Sequence, residues 1–204
     1  MSSILKVDTI QTTAGAAPSL SSLGLTQSGT VLQQVYGACD GRTVSGVTFE
    51  NVTALQALTA SHADITGSTI SYTPPTGTKT VVYTFSFHFE CHTYSGISHY
   101  QFNIDGTDVS NYRRTHAGAY ETNAHPVMRI VYEFPILIDS TLSSDDIPNL
   151  KLKSWTSART LKMTAREYDN NTYNVRLHTN QWWDGDSAGA NDLSIPTLSI
   201  KAIA

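Results

Sequence analysis

The fold is decided by the stretch TVVYTFSFHFEC, residues 80–91. Every second side chain in it is large and apolar or a cysteine, whereas most of the intervening side chains are small, polar or charged. A period of two sustained over this length predicts a long β-strand with one apolar face and one more polar face. The apolar face would carry Val81, Tyr83, Phe85, Phe87, Phe89 and Cys91.

Similar alternation continues on the carboxyl-terminal side of this strand. VMRIVYEFPILID (127–139) alternates in the same way, and HYQFNIDG (99–106) ends in Asp-Gly, a dipeptide that favours a tight hairpin turn. We expect TDVSNYRR (107–114) to return as the next strand. Further strand candidates, separated by turn-forming clusters, are VLQQVYGA (31–38), TVSGVTF (43–49), LKLKSW (150–155), TLKMTAREY (160–168), YNVRLHTNQWW (173–183) and PTLSIKAIA (196–204).

Short strands with turn signals between them are typical of a sandwich or a closed barrel. Only TALQALTASHA (53–63), with Leu55 and Leu58 on a helical spacing, predicts either one short helix or a crossing loop. We therefore expect an all-β protein, and an antiparallel jelly-roll sandwich in particular.

The composition excludes several classes of protein. The 204 residues carry a net charge of -4 and contain no run dense in lysine or arginine, which argues against nucleic-acid binding. No apolar run approaches the roughly 20 residues that a membrane span needs, and the front lacks a signal-peptide pattern, so we expect folding in a cytoplasm. Cys39 and Cys91 are too few for a disulfide framework and are predicted to be buried free thiols.

The front of the chain is unlike the rest. SILKVDTIQTTAG (3–15) reads as an isolated strand, with Ile4, Leu5, Val7 and Ile10 as its apolar residues, and a small, polar connector follows it. We divide the chain into an arm with its linker, residues 1–30, and a β-sandwich head, residues 31–204. An exposed strand of this kind suits pairing with a sheet edge of another protein.

One pattern of possible metal ligands occurs on the long strand. His88, Glu90 and His92 alternate along it, so their side chains share one face. Two imidazoles and a carboxylate are ligands for zinc or nickel, although alternate side chains stand about 7 Å apart and would need a local bend. A histidine near a trimer axis could instead form a three-histidine site. The competing interpretation, a polar outer face, is favoured, and we expect no metal and no cofactor.

The sequence shows no established catalytic motif, and we expect the protein not to be an enzyme. The segment QWWDGDSAGAND (181–192) instead suggests recognition, because an outward Trp183 could stack on a sugar ring while Asp184 and Asp186 accept hydroxyl hydrogen bonds. The alternative is that both adjacent tryptophans pack, one in the core and one against a neighbouring subunit. Tyr94, Tyr112 and Tyr120 are further contact candidates because they fall in predicted loops.

Both ends of the chain resemble structural proteins of tailed phages, notably those of marine, cyanophage-like type. The opening, with its KVDTIQ core, resembles the start of many such proteins. The back half is similar to the C-terminal modules of phage fibres over ITGSTISYTPPTGTKTVVYTFSFHF (65–89), SHYQFNIDGTDV (98–109), SWTSARTLKMTAREYDNNTYNVRLHTNQWWDG (154–185) and PTLSIKAIA (196–204).

This resemblance implies a virion component that is assembled in the host cytoplasm. It implies a homotrimer of jelly-roll heads, of the kind found in C1q and tumour necrosis factor, with arms attached to other virion proteins. The leading hypothesis is a short tail fibre or spike whose head binds a glycan or protein of the host surface. The alternatives are a capsid decoration, cement or adaptor protein with a purely structural role, and, less favoured, a glycan-degrading spike enzyme.

The residues themselves also favour a trimer. The second face of the long strand carries Val82 and Thr84, and the second face of 127–138 carries Val131, Pro135 and Leu137. Faces of mixed polarity are typical of surfaces that another subunit covers.

Overall fold

The computed structural model describes residues 28–91, 96–118, 127–169, 172–180 and 193–204. Within these ranges the chain forms β-strands joined by turns, with short 3₁₀ turns at Ser110–Tyr112 and Ile147–Asn149. The prediction of an all-β protein is therefore confirmed. In the described part of the chain, no helix has the length and apolarity needed to cross a membrane.

The first of two large sheets is built around the long strand Thr80–Cys91. All of its strand pairs are antiparallel except the pair formed by Leu137–Ile138 and Lys151–Leu152, which is parallel. Numbered in chain order, its strands run β1 (Val31–Ala38), β15 (Thr197–Ile203), β7 (Thr80–Cys91), β11 (Val127–Ile138) and β12 (Lys151–Leu152), with β14 (Val175–Leu177) beside β7 and β4 (Gln56–Ala57) beside β14.

The second sheet packs against the first to form a sandwich. Its strand at Arg159–Glu167 pairs on one side with two short strands in succession. The order is β10 (Arg114–His116), β8 (Ser98–Ile104), β13 (Arg159–Glu167) and β5 (Ala63–Asp64), with β6 (Ile70–Tyr72) also on β13 and β9 (Thr107–Asp108) on β8. A separate hairpin is formed by β2 (Thr43–Val44) and β3 (Val47–Thr48).

Aromatic side chains between the sheets form the core. The ring of Phe102 in β8 stacks on that of Phe134 in β11 with centroids 4.4 Å apart, and Tyr83 in β7 contacts Phe102 at 4.8 Å. All six residues predicted to face inward on β7 are buried, as are Cys39 and its free thiol. The period-two prediction for residues 80–91 is confirmed, because this face of β7 is covered along its length by the other sheet.

Three local predictions had different outcomes. The Asp105-Gly106 turn is confirmed, with φ angles of 51° and 86° that suit a two-residue hairpin. The returning strand is shorter than predicted, because a 3₁₀ turn interrupts it after β9 and pairing resumes only at β10. Residues 53–63 form no helix; they cross between the sheets as extended chain with the short strand β4.

The head has two distinct ends. At one end, the amide of Gly29 donates to Ala204 O at 2.8 Å, and the amide of Ala204 donates to Thr30 O at 2.9 Å. We call this the arm end, since residues 1–27 join the head there. At the other end of β7, Cys91 pairs with Val175. We call it the distal end; at about 3.4 Å per residue, β7 separates the two ends by nearly 40 Å.

The connections that leave the distal end are identified by the strands on either side of them. Segment 92–95 follows the last residue of β7, and segment 119–126 precedes Val127, which pairs with Glu90. Segment 170–171 lies just before β14, whose first residue pairs with the end of β7. The described strand ends that flank these three segments thus lie opposite the point where the arm joins.

Candidate binding site

Most of the predicted contact residues fall in parts of the chain that the structure does not describe. β7, which precedes the segment with Tyr94, ends at the distal end, and β11, which follows the segment with Tyr120, begins there. The residues outside the described ranges are Ile4, Leu5, Val7 and Ile10 of the arm, His92, Tyr94, Tyr120, Trp183, Asp184 and Asp186.

Tyr112 is the one aromatic contact candidate that lies within the described residues. It occupies the 3₁₀ turn before β10, where its half-buried ring packs against the core. The guanidinium carbon of Arg114 lies 5.9 Å from the ring centroid, a cation–π distance. Core and guanidinium together cover part of the ring, which leaves a ligand less surface than a fully exposed tyrosine would offer.

His88 and Glu90 share the outer face of β7, as the metal hypothesis required. Glu90 is fully buried near the distal end, whereas His88 is half-buried. Among the described residues there is no group of three histidine, cysteine or acidic side chains that could hold a metal ion, and His92 is not described. The three-residue metal pattern therefore stays a prediction, because His92 lies outside the described residues.

His88 instead lines a surface cleft of about 290 Å³ on the outer face of the first sheet. We call it the His88 cleft. It draws on β1, β7, β11 and the residues leading into β15, and its lining comprises Tyr36, Ser86, Phe87, His88, Arg129, Ser194, Ile195 and Thr197.

The cleft exists because β7 changes partners. On one side it pairs with β15 as far as Ser86 and with β14 from Phe89 onward. At the junction the amide of His178 donates to His88 O at 2.8 Å, and His178 adopts a left-handed φ of 63° that turns the chain out of the sheet. The gap between the two partner strands leaves the side chain of His88 facing open space.

The described residues on either side of the segment predicted to bind sugars lie beside this cleft. Thr179 and Leu193 form an antiparallel bridge, and the amide of Ser194, which lines the cleft, donates to His178 O at 2.8 Å. Trp183 and both aspartates belong to residues 181–192, which are outside the described ranges. The sequence alone did not connect His88 with this segment.

The chemistry of the cleft is that of hydrogen bonding beside an aromatic ring. Arg129 donates from Nε to Ser86 Oγ at 2.7 Å, and Tyr36 presents a ring that is 58% exposed. Burial, assisted by the nearby guanidinium of Arg129, lowers the pKa of His88, so its imidazole is neutral at pH 7 and can both accept and donate hydrogen bonds. Such a set suits a polar ligand with an apolar face.

Sequence reasoning missed Tyr36 and Arg129 as members of this site. His88 and Arg129 are directly paired across β7 and β11, and Tyr36 reaches the cleft through the order β1-β15-β7. The alternation did put His88 and Arg129 on outer faces, but only the pairing register shows that they are neighbours.

Fold and cleft together define the chain as an all-β, two-sheet sandwich with a polar cleft on one outer face. No family model matches it, and no curated protein matches it.

Several solved structures show a distant likeness. One is the sugar-binding C-terminal domain of EclA, with 12% identity and a TM-score of 0.33 over 62% of this chain and 74% of that one. Another is dimeric latent PorU from Porphyromonas gingivalis, with 10% identity, a TM-score of 0.31 and 73% of this chain against 12% of that one. A third is infectious bursal disease virus, Gx strain, with 9% identity, a TM-score of 0.25, and 77% and 38% coverage. These scores are too low to assign a family or a function.

Proposed function

We propose that this chain is a structural protein of a tailed-phage particle. It acts as a short tail fibre or spike subunit: the N-terminal arm anchors it to other virion proteins, and the head binds the host surface without catalysis. The observation that supports this most directly is the polarity of the head, by which we mean that its two ends differ. The arm joins at Gly29, beside the C-terminus, whereas three connections leave the opposite end of β7.

This polarity has a simple consequence for an appendage. A subunit fixed by its arm points its distal end away from the particle, and loops on a rigid β scaffold are suited to recognition. The His88 cleft lies in the distal half as well, since His88 is three residues from the end of β7. Tyr94, Tyr120 and the segment around Trp183 would then form the contact surface.

A trimer of jelly-roll heads is the second part of the proposal. The outer face of the first sheet carries Tyr36, Val131 and Leu137, which are 58%, 53% and 39% exposed. Apolar side chains on the surface of one sheet are what a partner subunit would cover. β1 is also an edge of the first sheet among the described strands, and it offers backbone groups to a neighbour's arm.

Competition for adsorption tests the binding role. Purified full-length protein, added to host cells before the phage that carries it, should reduce adsorption in a dose-dependent way. The double change Asp184→Asn and Asp186→Asn should weaken this competition, because it removes two carboxylates from the predicted contact segment. Asp139→Asn at the arm end is the matched control and should compete like the unchanged protein.

Equal competition by both variants would exclude the Asp184 segment as the contact surface. Absence of any competition by the full-length protein would favour the alternative, a decoration or adaptor protein with no receptor.

A further inference from the structure

A second concave site lies on the opposite side of the sandwich, on the outer face of the second sheet. It has a volume of about 240 Å³. We call it the arginine pocket. It is lined by His62, His99, Tyr100, Gln101, Arg113, Arg114, Thr115 and Arg166.

Strand register assembles this pocket from distant parts of the sequence. Thr115 of β10 and Arg166 of β13 both pair with His99 of β8, so their side chains form one row across three strands. Arg114 pairs with Tyr100, whose side chain is buried, so Arg114 lies outside this row, with its guanidinium carbon 5.9 Å from the ring centroid of Tyr112. The row is one residue from the Ser98–Glu167 pair at the distal end. The sequence shows no arginine-rich run because Arg113, held by Gln101, and Arg166 meet only in the folded sheet.

The arginines of this pocket form no ion pair with a carboxylate in the described part of the chain. Among the described residues, Arg42 and Arg159 form ion pairs with aspartates, whereas Arg113, Arg114 and Arg166 form none within 4.0 Å. Arg114 donates to the carbonyl of Arg113 at 3.2 Å, and Arg166 donates to the carbonyl of Glu167 at 3.3 Å. Each guanidinium has five N–H donors, so most of them remain available.

Neutral groups complete the lining. In the amide orientation that satisfies both of its partners, Gln101 accepts from Arg113 Nε at 3.1 Å and donates to Asp108 Oδ2 at 3.2 Å. His99 Nδ1 shares a hydrogen bond with Thr115 Oγ1 at 3.1 Å, and its buried Nε2 has no hydrogen-bond partner. The nearest acidic side chain, Asp108, is thus engaged by the amide that holds Arg113.

Electrostatics keep the two imidazoles of the pocket neutral at pH 7. Burial, and then the positive charge of Arg166, lower the pKa of both His62 and His99. The charge of Arg113 also lowers the pKa of His62, and Asp108 opposes this shift. An anion placed between the guanidinium groups of Arg113 and Arg166 would relieve their mutual repulsion.

We propose that the arginine pocket binds an oxyanion group, a carboxylate or a sulfate, carried by an acidic sugar. Guanidinium groups bind such anions through paired, charge-assisted hydrogen bonds. The small volume suits one sugar unit rather than a larger ligand. The exposed ring of Tyr168, whose centroid is 6.3 Å from that of His99, offers an apolar surface beside the pocket for the face of a sugar ring. The proposal for this pocket does not depend on the kind of particle to which the chain belongs.

Calorimetric titration of the full-length protein tests the proposal, with glucose 6-sulfate as the probe. Binding should be detectable at low salt, should weaken as sodium chloride is added, and should be absent for glucose. Arg166→Gln should reduce affinity by about tenfold or more, since it removes one paired contact to the anion. Arg113→Gln, at an exposed position, gives the same test if Arg166→Gln fails to fold.

Arg42→Gln is the matched control, because it removes the same charge from a guanidinium already paired with Asp40. It should bind like the unchanged protein. Equal affinity for inorganic sulfate and for glucose 6-sulfate would overturn the assignment of a sugar ligand. Loss of binding in Arg129→Gln, with Arg166→Gln and Arg113→Gln unaffected, would place the anion in the His88 cleft and overturn the proposal.

Discussion

His178 shows how much one residue contributes to the architecture of the first sheet. It sits where β14 ends, with a left-handed φ of 63°, and its ring is fully buried between Phe85 and Phe87 at centroid distances of 6.5 and 6.2 Å. Neither ring nitrogen forms a hydrogen bond of good geometry. Burial lowers the pKa of His178 to about 4, opposed only in part by the backbone of Thr66.

This value predicts a specific dependence of stability on pH. An unfolded histidine titrates near 6.5, so between pH 6.5 and 4 the unfolded state binds more protons and the free energy of unfolding falls as the pH drops. His178 accounts for at most about 3 kcal/mol of this loss. His178→Asn, which tolerates a left-handed backbone, should make the unfolding free energy less dependent on pH across this window.

Urea denaturation at pH 7.5 and pH 4.5 measures the effect as a difference of differences, so an overall loss of packing in the variant does not matter. Parallel pH profiles for the two proteins would contradict the assignment of a buried neutral imidazole at this position.

At the scale of elements, the turn between β5 and β6 depends on a single glycine. The amide of Gly67 donates to Glu50 Oε2 at 2.6 Å, and Cys39 Sγ donates to Gly67 O at 3.1 Å. With φ at 87°, a Cβ at this position would lie 2.7 Å from Val52 Cγ2 and 3.0 Å from Pro196 Cγ. The turn therefore links β6 to the loops that precede it and to the start of β15.

Gly67→Ala should be strongly destabilising, by about 2–4 kcal/mol, because it adds overpacking to backbone strain. Gly46→Ala is the matched control: its φ is 79°, but a Cβ there meets nothing within 4 Å. It should cost only about 1 kcal/mol, from the backbone alone. Chemical denaturation of both variants checks this, and equal losses would show that the space around Gly67 is not restrictive.

Strands were predictable from the sequence where one of their faces is buried, because burial of one face makes apolar residues recur at every second position. β13 alternates along its length and β7 alternates from Thr80 to Phe85, because one face of each is covered by the opposite sheet, and the Asp105-Gly106 turn follows from local backbone preference alone. The segment 173–183 was predicted as a longer strand than β14, because its sequence pattern does not reveal that His178 turns the chain outward. Both clefts depend on register between strands far apart in sequence, which no local pattern encodes.

At the scale of the whole molecule, the proposed trimer depends on the outer face of the first sheet. Val131, with half of its side chain exposed in the middle of β11, would be covered by a neighbour. Val131→Glu should convert a trimer into monomers at micromolar concentration, because an unpaired charge in an apolar interface is costly. Tyr168→Glu, beyond β13 on the second sheet, should leave the trimer intact.

Light scattering after size exclusion gives the mass directly, against 22.2 kDa for one chain. A monomeric mass for the unchanged full-length protein would contradict the proposed trimer. It would not affect the difference between the two ends of the head.

Cryo-electron microscopy of the particle that carries this chain tests the proposed orientation of the head. We expect the arm end, marked by Gly29 and Ala204, to face a tail or baseplate protein with the arm docked on it. We expect the distal end beyond Cys91 to project into solvent. A head whose distal end is buried against capsid subunits would contradict host recognition and would make the protein a decoration or cement component.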